Sequence, residues 1–104
     1  MRSTGFESLV AADGRDGIRQ FAANCERLRL VVIDYSMPEM DGLEVLAAMR
    51  KIATVPTIVV TGFEPQRIET RLAPELARSV AFLGKPFGVP QLRQAVASLL
   101  SPTD

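Results

Sequence analysis

The sequence predicts an α/β fold, a doubly wound parallel sheet of about four strands with about four helices packed on its faces. First, Leu28, Leu30, Val31, Val32 and Ile33 form a near-continuous apolar run that stops abruptly at Asp34, as a parallel strand buried on both faces does. Second, this run and others like it alternate with segments whose apolar residues recur at helical spacing, joined by short connections. Third, Asp34, Thr61 and Lys85 stand at the carboxyl ends of successive runs. Open α/β sheets gather ligands and chemistry along that edge.

Taken in order, Met1 to Gly5 is a short polar lead ending in the glycine that commonly stops a helix. Phe6, Leu9, Val10 and Ala11 read as a short strand. Asp13-Gly14-Arg15-Asp16 opens a helix in which Ile18, Phe21, Ala22 and Cys25 mark one buried face, ending near Asn24. The central strand follows and runs to Asp34. Its loop contains a rigid Met37-Pro38 step, and Asp41 is placed to cap the next helix with Glu44 reaching back. Leu43, Val45, Leu46, Met49 and Ile52 carry that helix to about Lys51. Pro56 to Gly62 is another buried strand, entered by proline and left by glycine. Pro65 suits a first helical turn, Ile68, Leu72 and Leu76 space an apolar side, and Pro74 should break or restart it. Val80 to Gly84 is the last strand, and Val89, Leu92, Val96, Leu99 and Leu100 line the last helix.

Composition limits the function. The 104 residues suffice for one domain with its own core, and 47% hydrophobic with 23% charged residues is the make-up of a folded chain. Twelve basic residues balance twelve acidic ones, so nothing suggests nucleic-acid binding through the phosphate backbone. Histidine is absent. That excludes Ser-His and Cys-His nucleophilic pairs and histidine metal sites. The lone Cys25 falls at a core-facing position and reads as a buried, inert thiol. No apolar stretch approaches the roughly 20 residues that span a bilayer, and no signal peptide opens the chain, so a cytoplasmic location is expected.

An acid, a hydroxyl and an amine thus converge on one crevice. Singly, Asp34 has a role in tying its own turn, Thr61 in capping a helix, and Lys85 as a solvated surface lysine. Together they look like chemistry. Asp34-Tyr35-Ser36-Met37-Pro38-Glu39-Met40-Asp41-Gly42, Thr61-Gly62 and Lys85-Pro86-Phe87 resemble, in register, the motifs of receiver domains of bacterial two-component signalling, over about Gly5 to Leu100. The resemblance implies a flavodoxin-like, CheY-like three-layer fold. It also implies that Asp34 is the phosphoacceptor, Thr61 the switch hydroxyl, Lys85 the phosphoryl contact on a cis Lys85-Pro86 bond, and Phe82 the switch aromatic. The implied donor is a histidine kinase or phosphotransfer protein, and the module is not an enzyme. The changing face would be built from the helix before the last strand, the last strand and the last helix. Thr61-Gly62-Phe63 and Phe82-Leu83-Gly84-Lys85-Pro86-Phe87 further resemble receivers of hybrid histidine kinases. The ending Ser101-Pro102-Thr103-Asp104 fits that setting or a stand-alone receiver better than a one-chain transcription factor.

One departure shapes the other expectations. Receivers begin with a strand ending in two Mg²⁺-holding acids, followed by the first helix; this sequence resembles the family only from the last turn of that helix. The expectation is an N-terminally incomplete receiver across 1–104, a truncated gene product or one working without ordinary metal chemistry. Of the Mg²⁺ ligands implied by the resemblance, Asp34 and the Ser36 carbonyl remain, so binding is expected to be weak or absent. Glu7, Asp13 and Glu39 are the nearest other acids. The alternative is a pseudo-receiver that binds partners without phosphorylation. A haloacid-dehalogenase-type phosphatase would want a second aspartate where Ser36 stands, and a flavodoxin-like cofactor binder would want a hydroxyl-rich phosphate loop. A missing central strand would leave a gap of about 10 Å. The first strand should therefore shift to pair with the strand of Asp34, or a second copy should fill the space. Either way the uncovered sheet face should make a homo-oligomer.

Overall fold

The computed structural model describes residues 7–11, 13–37, 39–62, 64–76 and 78–100. Expectations about the 1–5 lead, Phe6, Pro38, Phe63 and the 101–104 tail lie outside the described residues.

The elements run β1 (Glu7–Ala11), α1 (Gly14–Asn24), β2 (Leu28–Asp34), α2 (Gly42–Arg50), β3 (Thr57–Thr61), α3 (Pro65–Glu69), a 3₁₀ turn (Pro74–Leu76), β4 (Val80–Gly84) and α4 (Val89–Leu100). The predicted alternation is therefore present, and the four strands pair in parallel in the order β1-β2-β3-β4. Of the two expected arrangements, the structure shows the direct one: Val10 lies opposite Val32 and Ala11 opposite Ile33.

Alternation along β2 divides the molecule into layers. Val31 and Ile33 join Leu9, Ala11, Phe21, Val45, Leu46 and Met49 in one core, and Val59 and Tyr35 extend that face to Ile68 of α3. Leu30, with Ile58 and Val60, packs against Leu92, Ala95, Val96 and Leu99 of α4. Three helices thus cover one face and α4 covers the other. On the α4 side β1 presents Val10, which is 70% exposed.

Several helix details differ from the periodic reading. In α1 the buried stripe is Gly14, Gly17 and Phe21, with Ile18 and Cys25 half-buried, whereas Ala22 is exposed. The glycines let α1 approach β1 closely: a Cβ on Gly17 would stand 2.7 Å from the Ala11 Cβ. Cys25 is accordingly not fully buried, because it caps the helix instead of continuing its face. The helix starting at Pro65 stops at Glu69, so Leu72 is buried in a turn and Leu76 sits half-buried in the restart at Pro74. In α4, Val89 is 62% exposed and Ala95 takes a place on the packing face. Ile52 lies past the end of α2 and is exposed.

Candidate functional site

Asp34 ends β2 and Lys85 follows β4, 51 residues later, with β3 between them. The Lys85 amide donates to the Thr61 carbonyl at 2.7 Å, carrying the β3–β4 ladder one residue beyond the strands and fixing where the lysine leaves the sheet. From there its Nζ reaches the Asp34 Oδ2 at 3.0 Å. The other carboxylate oxygen, Oδ1, accepts from the Ser36 amide at 3.1 Å. Both side chains keep access to water, at 36% exposure for Asp34 and 45% for Lys85. A half-exposed ion pair contributes only about 0–1 kcal/mol to stability. Its consequence is positional: a cation is parked against the one carboxylate that ends the central strand.

The loop after Asp34 is pinned from both ends. Ser36 bridges Asp41, and the Gly42 amide donates to the Tyr35 carbonyl at 2.8 Å. Gly42 has to be glycine in this arrangement, since a Cβ there would meet the Tyr35 Cα at 2.8 Å and the Asp34 carbonyl oxygen at 3.1 Å. Asp41 then caps α2 in a full capping box: its carboxylate accepts from the Glu44 amide, and Glu44 accepts from the Asp41 amide, both at 2.9 Å. Glu39, at a left-handed φ of 71°, forms an exposed 3.6 Å ion pair with Arg15.

The other expected site residues fall as follows. Thr61 is fully buried at the end of β3, in register with Gly84. Phe82 is half-buried and packs against the cluster of Tyr35, Val59 and Ile68, next to α3. The Lys85–Pro86 peptide is cis, as expected. The described donors supply Asp34 and the Ser36 carbonyl from the Mg²⁺ ligands that the resemblance implies. Octahedral ligation needs several oxygens, and among the described residues no cluster of three or more acidic, histidine or cysteine side chains could hold a metal ion. Asp13 is committed to capping α1, where it accepts from the Asp16 amide at 3.0 Å, and Glu39 to Arg15; the Glu7 side chain lies outside the described residues.

Two residues escape a motif-based reading, Arg71 near this edge and Arg50 at the opposite end of the sheet. Arg71 donates from Nη1 to the Tyr35 hydroxyl at 2.7 Å, joining the turn after α3 to the residue next to Asp34. Arg50, at the end of α2, donates to the Val55 carbonyl at 2.9 Å and the Arg78 carbonyl at 2.7 Å, with longer contacts to Thr57 and Ser79. Burial pushes its guanidinium below the usual arginine range, and its Nε is buried with no hydrogen-bond partner. A basic residue in a last helical turn is the available sequence signal for Arg50. Nothing in the spacing of Arg71 foretells its contact.

The family described as response regulator receiver domain matches residues 1–97. The transcriptional regulatory protein PrrA of Mycobacterium tuberculosis is 33% identical over 101 residues, covering 96% of this chain and 42% of the relative. The probable transcriptional regulator ycf27 of Cyanophora paradoxa is 31% identical over 100 residues, covering 96% of this chain and 40% of the relative. The chain thus spans less than half the length of these relatives. Among solved structures, the CheX-CheY-BeF3-Mg complex from Borrelia burgdorferi aligns at TM-score 0.80 and 18% identity over 93% of this chain and 90% of that one, which shows the fold. The receiver domain of the hybrid histidine kinase CckA aligns at TM-score 0.70 and 28% identity, over 93% of this chain and 79% of that one.

Proposed function

Because the chain belongs to the response regulator receiver domain family, we propose that residues 1–104 act as one phosphoacceptor module, with Asp34 taking a phosphoryl group from a histidine kinase or phosphotransfer protein. A carboxylate oxygen of Asp34 attacks the phosphorus of a phosphohistidine. The P–N bond breaks, its electron pair returns to the imidazole nitrogen, and an acyl phosphate forms on Asp34. The single observation that carries the reading is the 3.0 Å contact of Lys85 Nζ with Asp34. An amine already at that carboxylate can transfer to the incoming phosphoryl oxygens as charge builds there. Thr61 supplies the hydroxyl that reorganises toward the phosphoryl group, and Phe82 the ring that follows it, altering the surface of α3, β4 and α4.

The hybrid-kinase setting draws support from the CckA receiver at 28% identity, whereas the curated relatives are named as transcriptional regulators. Competing phosphotransfer from a kinase and from a phosphotransfer domain separates the two. The exposed Val10 side of the sheet supports a homo-oligomer. No helix among the described residues is long and apolar enough to cross a membrane, which supports a cytoplasmic module.

A second reading, a pseudo-receiver that binds partners without phosphorylation, is favoured by the lack, among the described residues, of a cluster of three acidic side chains that could hold a metal ion. The test is labelling with acetyl phosphate and with a phosphohistidine donor, each with Mg²⁺. The expected result is weak labelling from acetyl phosphate, stronger labelling from the protein donor, and none in Asp34→Ala. Absence of labelling from both donors selects the second reading.

A further inference from the structure

We propose a second ligand site on the opposite side of β2 from Asp34, a pocket for a small phosphate monoester formed by Tyr35, Arg67, Ile68 and Arg71. These residues line a cavity of about 230 Å³. Successive residues at the end of a strand face opposite ways. Asp34 is held by Lys85, while Tyr35 packs with Val59 and Ile68 under α3, so the two sites share a strand end and no side chain.

The lining defines the ligand. Arg67 and Arg71 are four residues apart and open into the same cavity. Arg71 uses Nη1 on the Tyr35 hydroxyl, which fixes the plane of its guanidinium and leaves its other donors to be shared with a ligand. Among the described residues neither arginine forms an ion pair, and no acidic side chain lines the cavity. Two adjacent guanidiniums with planar donor forks match a dianionic oxyanion, which accepts several hydrogen bonds, better than a single carboxylate. Ile68 and the tyrosine ring supply apolar walls, so an ester carrying a short apolar group fits better than inorganic phosphate. The volume lies below the range of about 300–1,000 Å³ for drug-sized ligands, which restricts the site to a small ester.

Tyr35 is the sole tyrosine and the chain has no tryptophan, so the fluorescence read is that of one residue, which lines this pocket. Titration of the full chain with monobutyl phosphate should give a saturable change, with inorganic phosphate binding more weakly and butyrate weaker still. Arg67→Ala, which leaves the Arg71–Tyr35 bond in place, should weaken monobutyl phosphate by about tenfold or more, with Arg67→Lys in between. Lys85→Ala should leave the binding curve unchanged. A flat titration overturns the site. So does an Arg67→Ala curve that matches the parent, or binding lost in Lys85→Ala and kept in Arg67→Ala, which places the anion beside Asp34. Equal affinity for butyrate or inorganic phosphate overturns the assignment of a monoester.

Discussion

At the scale of single residues, the half-exposed Asp34–Lys85 contact adds little stability, and under the proposed phosphoacceptor reading its weight falls on the chemistry. Replacing Lys85 by alanine removes one preorganised donor from a site where charge develops, and loss of one such donor typically costs about 10²-fold in rate. Phosphorylation of Lys85→Ala by a phosphohistidine donor should fall by about that factor, while its unfolding free energy stays within about 1 kcal/mol of the parent, as for a half-exposed pair. A large stability loss with an unchanged rate would make Lys85 structural. Arg50 should behave in the opposite way. Its fork ties α2 to the entrances of β3 and β4 through carbonyls that a lysine cannot reach together. Arg50→Lys should therefore destabilise the fold by about 1–3 kcal/mol in denaturant titration without touching the reactive edge.

Among the elements, α1 depends on absent side chains. Gly17→Ala improves helix propensity by about 1 kcal/mol. Against this, the new Cβ would sit 2.7 Å from the Ala11 Cβ, which is part of a buried strand and cannot swing aside. Overpacking of that kind costs about 1–3 kcal/mol, so the clash prevails. Chemical denaturation of Gly17→Ala should show net destabilisation, and a stabilised variant would mean that α1 and β1 pack more loosely than this. The capping box of α2 is worth less. Asp41→Ala should lower stability by about 1 kcal/mol in chemical denaturation, while the bridge from Asp41 to Ser36, made by backbone groups, stays in place.

For the whole molecule, the uneven distribution of helices matters most. β1, β2, β3 and β4 follow one another across the sheet, and among the described residues α1, α2 and α3 share one face while α4 alone packs the other. That leaves Val10 at 70% exposure, paired in the sheet with the half-buried Val32. An exposed apolar pair on this part of the sheet is where a second copy would pack. Light scattering should report a dimer or larger assembly that shifts toward monomer in Val10→Lys. A parent that remains monomeric over a wide concentration range would show that this face is tolerated in water.

The order of elements, the strand ends and the three polar groups at one edge are legible from the chain alone. Those follow from local signals: unbroken apolar runs, Asp41 and Glu44 at capping spacing, Pro56 and Gly62 as punctuation. It also carried the Asp34, Thr61 and Lys85 positions, because a strand's carboxyl end is visible where its apolar run stops. Tertiary structure decided what depends on distance across the fold. Periodicity marked Ala22 as buried, but the close approach at Gly17 rotated the contact stripe so that Ala22 faces water. A pattern at helical spacing extended α3 to Leu76, but the chain ended the helix at Glu69 and met Pro74 in a new turn. The partners of Arg50 and Arg71 lie up to 29 and 36 residues away, respectively. Their long side chains are read by neighbours that only folding brings near, and no local pattern encodes them.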